Sequence, residues 1–271
     1  MNNINILISI DRNYIFPFKV MLQSLLLNNP KKEITFYLLH SAIPEEDLEE
    51  LSSYSKEHGV LLENIQVDKK LFQNAPISKR YPQEIYYRLL SSHILPQTLE
   101  RILYLDLDIL IINSLEKLWN MELGEYVFAA AAHTGITEIT NGINRIRLGT
   151  KHDYFNSGVI LMDLVKARKI VDIEEVFQYI KNHQNGLLLP DQDIFNALYG
   201  KKTLPIEDAV WNYDVRNYFN YLIRSNGKCN LDWVMENTSI LHFCGSNKPW
   251  KSSYGHRFLA LYKHYMNITK R

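Results

Sequence analysis

The chain is poor in cysteine, in excess charge of either sign and in long apolar runs. Its two cysteines are Cys229 and Cys244. They allow one disulfide but no disulfide framework, so a reducing compartment is expected. Lys plus Arg number 30 and Asp plus Glu number 30, a formal net charge of zero. A duplex-DNA binder shows a basic excess, so no nucleic-acid partner is expected. No stretch approaches the ~18 apolar residues of a membrane span. The start, Met1-Asn2-Asn3-Ile4-Asn5, has neither the basic region nor the apolar core of a signal peptide, and a cytoplasmic protein is expected. A G-x-G-x-x-G turn and a P-loop are also missing, which argues against a dinucleotide site or a P-loop kinase. There is no internal repeat, low-complexity segment or Pro/Gly/Ser linker.

What is present is a globular composition: 46% hydrophobic and 22% charged residues over 271 positions, which excludes bulk disorder. A chain of this size buries roughly 70–75% of its unfolded surface and needs no metal or disulfide to hold its core. Apolar runs at 4–10, 34–39 and 60–67 read as strands. Between them, Phe18, Met21, Leu22, Leu25 and Leu26 recur at helical spacing, and Pro44-Glu45-Glu46 opens a second helix that Gly59 closes. Further along, 84–95 and 191–199 read as helices, and 101–106, 126–132, 155–162 and 239–243 as strands. This alternation predicts an α/β fold, a mostly parallel sheet covered by helices on both faces. Residues 1–271 are expected as a single domain. The polar stretch 133–153 reads as a mobile, substrate-facing loop, and 256–271 as a C-terminal helix or tail. That tail mixes Tyr262, Tyr265 and Met266 with Lys263, His264, Lys270 and Arg271, which suits at most weak peripheral contact with the inner face of a membrane.

The strongest chemical signal is Ile102-Leu103-Tyr104-Leu105-Asp106-Leu107-Asp108-Ile109-Leu110. In extended backbone, residues two apart point to one side, so both carboxylates would face one point. Such a pair repels and desolvates expensively unless a cation lies between, and its oxygens suit Mg²⁺ or Mn²⁺. The alternative is a strand that ends at Asp106 with both acids solvated. A second signal is Ile240-Leu241-His242-Phe243-Cys244-Gly245-Ser246-Asn247-Lys248-Pro249-Trp250. His242 reads as a metal ligand or as a satisfied core histidine; the glycine turn with Lys248 suits a diphosphate. Asp11-Arg12-Asn13-Tyr14 follows the first strand, where it could hold a nucleobase or form a plain Asx turn. In Pro190-Asp191-Gln192-Asp193, Asp191 is a natural N-cap, and the trio could also hold sugar hydroxyls. Arg88 within Tyr86-Tyr87-Arg88-Leu89 could reach a phosphate or pair with an Asp.

Taken in order, Asp11-x-Asn13-Tyr14, Tyr87-Arg88-Leu89, Leu103-Tyr104-Leu105-Asp106-x-Asp108, Phe155-Asn156-Ser157-Gly158-Val159, Asp191-Gln192-Asp193 and the block from His242 to Trp250 resemble glycosyltransferase family 8. This family of retaining GT-A enzymes includes bacterial lipopolysaccharide galactosyl- and glucosyltransferases. The resemblance implies a GT-A fold, a Mn²⁺ (or Mg²⁺) ion on Asp106, Asp108 and His242, and a UDP-glucose or UDP-galactose donor. It further implies that Asp11, Asn13 and Tyr14 hold uracil and ribose, and that Gly245 and Lys248 grip the diphosphate. Arg88, Asn156 and Asp191 would contact the donor sugar or its phosphate. Gln192 would lie near the anomeric carbon, with Asp193 as a fallback nucleophile. The acceptor would be a glycan, a lipid-linked sugar or a protein. The acidic residue that some members carry near Ala132-His133 is absent, which leaves the donor hexose open. Two other readings stand beside this one. One is a catalytically silent sugar-nucleotide-binding domain. The other is a phosphatase using Asp106 and Asp108; it expects such a pair after the first strand, where this chain has Asp11-Arg12-Asn13.

Overall fold

A computed structural model describes residues 3–10, 12–41, 43–72, 84–132, 138–183 and 186–270. Its strands are β1 (Asn3–Ser9), β2 (Glu33–His40), β3 (Leu61–Gln66), β4 (Arg101–Leu105), β5 (Ile109–Ile111), β6 (Phe128–Ala132), β7 (Phe155–Asp163), β8 (Thr203–Ile206), β9 (Tyr213–Asp214) and β10 (Ile240–His242). Helices include α1 (Ile15–Asn28), α2 (Glu45–Glu57), α3 (Ile85–Ile94), α4 (Glu116–Trp119), α5 (Glu138–Leu148), α6 (Leu164–Ile170), α7 (Ile173–His183) and α8 (Pro190–Tyr199). They are followed by α9 (Asp208–Trp211), α10 (Tyr218–Arg224), α11 (Leu231–Asn237) and α12 (Leu259–Thr269).

Seven strands form one sheet in the order β3-β2-β1-β4-β7-β6-β8, and three form another in the order β5-β10-β9. In the large sheet β1, β2, β3 and β4 run parallel, as do β6 and β8, while β7 runs antiparallel to both its neighbours. The period of two sends alternate residues to opposite faces. Ile4, Ile6 and Ile8 of β1 and Leu103 and Leu105 of β4 join a core with Phe18, Met21, Leu22 and Leu25 of α1 and Leu48 and Leu51 of α2. Leu7, Ile102 and Tyr104 join a second core with Tyr86, Tyr87 and Leu90 of α3 and Ile194 and Phe195 of α8. Both faces are therefore covered, as the alternation predicts. A third core packs Leu110, Tyr213, Leu241, Phe243 and Tyr262 around the small sheet.

The apolar run 102–110 is not one strand. It pairs with β1 and β7 up to Leu105, then leaves for the other sheet, where Ile109 pairs with His242. The Asp106 amide donates to the Gly158 carbonyl (2.8 Å), still on the large sheet, and the Phe243 amide donates to the Asp108 carbonyl (2.8 Å), already on the small one. Leu107, between them, is buried in the first core. The aspartates thus stand on a seam, on either side of an apolar anchor. Within 133–153, residues 133–137 lie outside the described residues, and most of the remainder is helix α5. No helix among the described residues is long and apolar enough to cross a membrane.

Candidate active site

The seam, the end of β10 and the segment after β1 converge on one cleft. A cavity of about 270 Å³ is lined by Ser9, Ile10, Tyr14, Glu84, Arg88, Tyr104, Asp106, Leu107, Asp108 and Lys248. A second hollow of about 820 Å³ shares Tyr14 and Lys248 with it and adds Asn13, Gly245, Ser246, Trp250 and Lys251. Tyr14 meets Trp250 edge to face at 5.5 Å. Gly245 has φ +95°, the left-handed conformation that favours glycine, and the Arg216 guanidinium lies where its Cβ would be.

Asp106, Asp108 and His242 offer ligand atoms that all lie within 4.8 Å of one another. His242 Nε2 is 3.2 Å from Asp108 Oδ1 and 3.8 Å from Asp106 Oδ2. The other oxygen of each aspartate is taken. Asp106 Oδ1 accepts from Arg88 Nη2 (3.0 Å) and Tyr104 Oη (2.8 Å), and Asp108 Oδ2 accepts from Lys248 Nζ. Arg88 Nη1 also pairs with Asp191 Oδ2 at 3.0 Å and donates to the Ser157 carbonyl at 2.9 Å, while its buried Nε has no acceptor among the described residues. Two oxygens and an imidazole nitrogen, aimed at one point and backed by counter-charges, suit a hard-to-borderline dication such as Mn²⁺ or Mg²⁺.

Behind this cluster runs a chain of amides. His242 Nδ1 meets Asn212 Oδ1 at 2.8 Å, and Asn212 Nδ2 donates to Asn156 Oδ1 at 2.9 Å. Asn156 Nδ2 in turn donates to Gln192 Oε1 at 3.2 Å. Gly158 sits where β7 passes under the ligands; a Cβ there would lie 2.4 Å from His242 Cε1 and 2.6 Å from Asp106 Oδ2.

The model of the Glycosyl transferase family 8 matches residues 5–253. The chain belongs to glycosyltransferase family 8. It is similar to General stress protein A of Bacillus subtilis (strain 168), 30% identical over 268 residues that cover 96% of this chain and 92% of that protein. A lipopolysaccharide 1,2-glucosyltransferase of Escherichia coli is 26% identical over 271 residues, covering 98% of this chain and 78% of that one. The crystal structure of the galactosyltransferase LgtC in complex with donor and acceptor sugar analogs superposes with a TM-score of 0.80 at 23% identity, covering 98% of this chain and 96% of that one. The fold is accordingly of the GT-A type.

In this family 8 chain the residues expected at the site fall into three groups. Asn13, Tyr14, Arg88, Asp106, Asp108, Gly245 and Lys248 line the two hollows or their shared wall, and His242, Asn156, Asp191 and Gln192 are tied to them by the contacts above. Asp11 lies outside the described residues. Asp191 is not the N-cap of α8: the helix starts at Pro190 with Leu189 as its cap, and Arg88 and Ser157 Oγ (3.1 Å) take the Asp191 carboxylate instead. Asp193 lines neither hollow and is fully buried. Its carboxylate accepts from both terminal nitrogens of Arg147 (2.6 and 2.8 Å), Tyr154 Oη (2.5 Å) and the Leu188 and Leu189 amides (2.6 and 3.2 Å). Five donors fill its lone pairs, which suits anchoring the start of α8 rather than attacking a sugar. Sequence reasoning missed Asn212, Arg147 and Tyr154. Complete burial of a lone Asn between Trp211 and Tyr213 is the mark of the first, and it is visible only in three dimensions.

Burial opposes charge at Asp108, Lys248, His242 and Arg88, and at each of the four the partners win. Burial pushes the Asp108 carboxyl up, but His242 and Lys248 hold it well below the usual carboxylate range. Burial pulls Lys248 down, and Asp108 raises it overall. Burial likewise lowers His242, while Cys244 and Asp108 raise it well above the usual imidazole value. Arg88 is raised, its burial outweighed by Asp106, Tyr104 and Asp191.

Proposed function

We propose that this family 8 protein is a metal-dependent, retaining hexosyltransferase. It moves glucose or galactose from a UDP-sugar to a glycan, lipid-linked or protein acceptor. The observation that carries the reading is the Asp106–Asp108–His242 cluster at the mouth of a cavity also lined by Arg88 and Lys248. The name of the Escherichia coli relative, a glucosyltransferase, supports a hexose donor. On this reading the chain is one catalytic domain in the cytoplasm, with at most weak membrane contact through 256–271. Helix α5, within the 133–153 stretch, is tied to the start of α8 beside Gln192 by the Arg147–Asp193 pair, which supports a substrate-side role for it.

Asp106, Asp108 and His242 would hold Mn²⁺ or Mg²⁺, which supplies Lewis-acid stabilisation of a diphosphate leaving group. Lys248 adds a fixed positive charge at the same place, where negative charge develops as the glycosidic phosphate bond breaks. Asn13 and Tyr14 stack and hydrogen-bond the nucleoside, with Trp250 bracing Tyr14. Arg88 holds the Asp106 and Asp191 carboxylates in place. Retention needs either a covalent intermediate or attack on the face the diphosphate leaves. Gln192 is an amide with both lone pairs of Oε1 engaged by Asn156 Nδ2 and the Ser157 amide, and Asp193 is enclosed by donors. Same-face attack, with the departing phosphate taking the acceptor proton, fits these environments.

Thermal unfolding with UDP, with and without Mn²⁺, tests the reading on wild type and Asp108→Ala. Ligand at about 100 times its Kd adds roughly 2.7 kcal/mol, about 5 °C for a chain of this size. A rise that needs both UDP and Mn²⁺, and that Asp108→Ala abolishes, supports the site; no rise under any combination overturns it. UDP-hexose hydrolysis then separates an enzyme from a silent binding domain.

A further inference from the structure

The amide chain behind the metal ligands has a direction, and two backbone N–H groups set it. The Gly158 amide donates to Asn156 Oδ1 at 2.9 Å, and the Ser157 amide lies 3.3 Å from Gln192 Oε1. A backbone N–H cannot accept, so it fixes which end of each side-chain amide is oxygen. Asn156 must then turn its nitrogen to Gln192, and Asn212 must turn its nitrogen to Asn156. That leaves Asn212 Oδ1 facing His242 Nδ1 at 2.8 Å, so the imidazole carries hydrogen on Nδ1, and Nε2, toward the aspartates, is the nitrogen that would face a metal. Asn212 and His242 are 0% and 3% exposed, so no water competes freely for these contacts. At the other end Gln192 has no acceptor capacity left on Oε1; of the two hydrogens on Nε2 one is directed at the Tyr154 side chain, so a single N–H is left for a substrate.

We propose that Asn212 is a positioning residue that joins the two halves of the site. It fixes the His242 tautomer for metal binding, and through Asn156 it fixes Gln192 as a hydrogen-bond donor toward the reacting sugar. The inference rests on the metal and donor reading above. A partner that orients a metal-bound histidine changes metal affinity by about 10–100-fold when lost. Small misplacement of a reacting group can reduce turnover by about 100-fold.

Asn212→Ala and Asn212→Asp separate the two links. Alanine breaks both. Aspartate still accepts from His242 Nδ1–H but has no N–H for Asn156 Oδ1, so two acceptors face each other. The readouts are Mn²⁺ affinity in the presence of UDP, measured by electron paramagnetic resonance of free Mn²⁺, and the rate of UDP-hexose hydrolysis. For Asn212→Ala, Mn²⁺ Kd should rise about 10–100-fold. For Asn212→Asp, Mn²⁺ Kd should stay within about threefold of wild type, while kcat falls roughly 10–100-fold at a KM within about threefold. A merely structural Asn212 would not give that split. Should the alanine variant fail to fold, the aspartate variant, which keeps size and one hydrogen bond, carries the test alone. If wild type binds Mn²⁺ and either variant matches it in both readouts, the relay is wrong and the metal site stands. If wild type binds Mn²⁺ but hydrolyses no UDP-hexose, the transferase reading fails and Mn²⁺ affinity still decides the His242 link. If wild type binds no Mn²⁺, both fall.

Discussion

Gly158→Ala adds a single methyl group where β7 passes beneath the metal ligands. The new Cβ would lie 2.4 Å from His242 Cε1, 2.6 Å from Asp106 Oδ2 and 3.0 Å from Asn156 Oδ1. Gly158 is not among the glycines with positive φ, so the conflict is purely steric. The first two distances are far inside van der Waals contact, and neither side chain is free to yield. His242 is held by Asn212 and Asp106 by Arg88 and Tyr104. Forcing an extra carbon into a packed site destabilises by about 1–3 kcal/mol, which for this length lowers Tm by roughly 2–5 °C. The larger effect falls on metal binding, because two of three ligands must move. Mn²⁺ affinity should drop by at least about 100-fold, exceeding the loss expected from an outer partner alone. Gly255→Ala is the control, since nothing lies within 4 Å of a Cβ there. Melting after EDTA treatment reads the first effect, and Mn²⁺ titration in the presence of UDP reads the second. If Gly158→Ala bound Mn²⁺ within threefold of wild type, the packing of β7 against the ligands would be wrong.

Asp193→Asn keeps the shape of a buried side chain but removes its charge. The charge is addressed by Arg147 and three other donors, Tyr154 and the Leu188 and Leu189 amides, so the change should lower stability by about 3 kcal/mol, at the lower end of the range for a broken buried ion pair, as measured by urea unfolding. Intact-mass analysis of wild type incubated with UDP-hexose and Mn²⁺ should show no sugar attached to Asp193; a stable adduct there would restore it as a nucleophile. The raised His242 pKa has two consequences of opposite sign. In metal-free protein the charged pair with Asp108 stabilises the fold fully below the unfolded imidazole value of about 6.5, and that contribution is lost as pH rises through the higher folded value. Mn²⁺ affinity should instead increase over the same rise, because the dication competes with the proton on Nε2. Melting with EDTA and Mn²⁺ titration across pH check the two slopes, and parallel slopes would contradict the assignment.

Much of the frame was legible in the sequence because period and punctuation agreed. The run 4–10 and the Pro44 start of α2 match β1 and α2 within a residue or two, and the helical spacing from Phe18 to Leu26 falls inside α1, which starts three residues earlier at Ile15. The convergence of Asp106 and Asp108 was legible too, because an apolar frame around two acids is expensive unless a cation is near. The break between β4 and β5 was not. Residues 102–110 are uniformly apolar apart from the acids, and what interrupts the strand is a change of partner, from Val159 beside Leu105 to His242 beside Ile109. Such a switch depends on residues 50 to 130 positions away and leaves no local mark. Asp191 and Asp193 illustrate the same limit. Both are acids in the first turn of α8, yet one faces Arg88 and the other Arg147. Their roles diverge through arginines that sequence proximity could not assign.

The seam also explains how two aspartates so close together, Asp108 buried and Asp106 half-buried, are accommodated. Each has a separate counter-charge on one oxygen: Arg88 from α3 for Asp106, Lys248 from the turn after β10 for Asp108. The remaining oxygens face His242 from two different sheets. Removing either cation would strand a carboxylate in low dielectric, where an unpaired charge is expensive. Arg88 and Lys248 also line the cavity in which a diphosphate would be gripped. On the proposed reading, the charges that balance the two aspartates are also those a departing diphosphate would require. They are preorganised by β4, β7 and β10, so little rearrangement is needed at the moment of bond breaking.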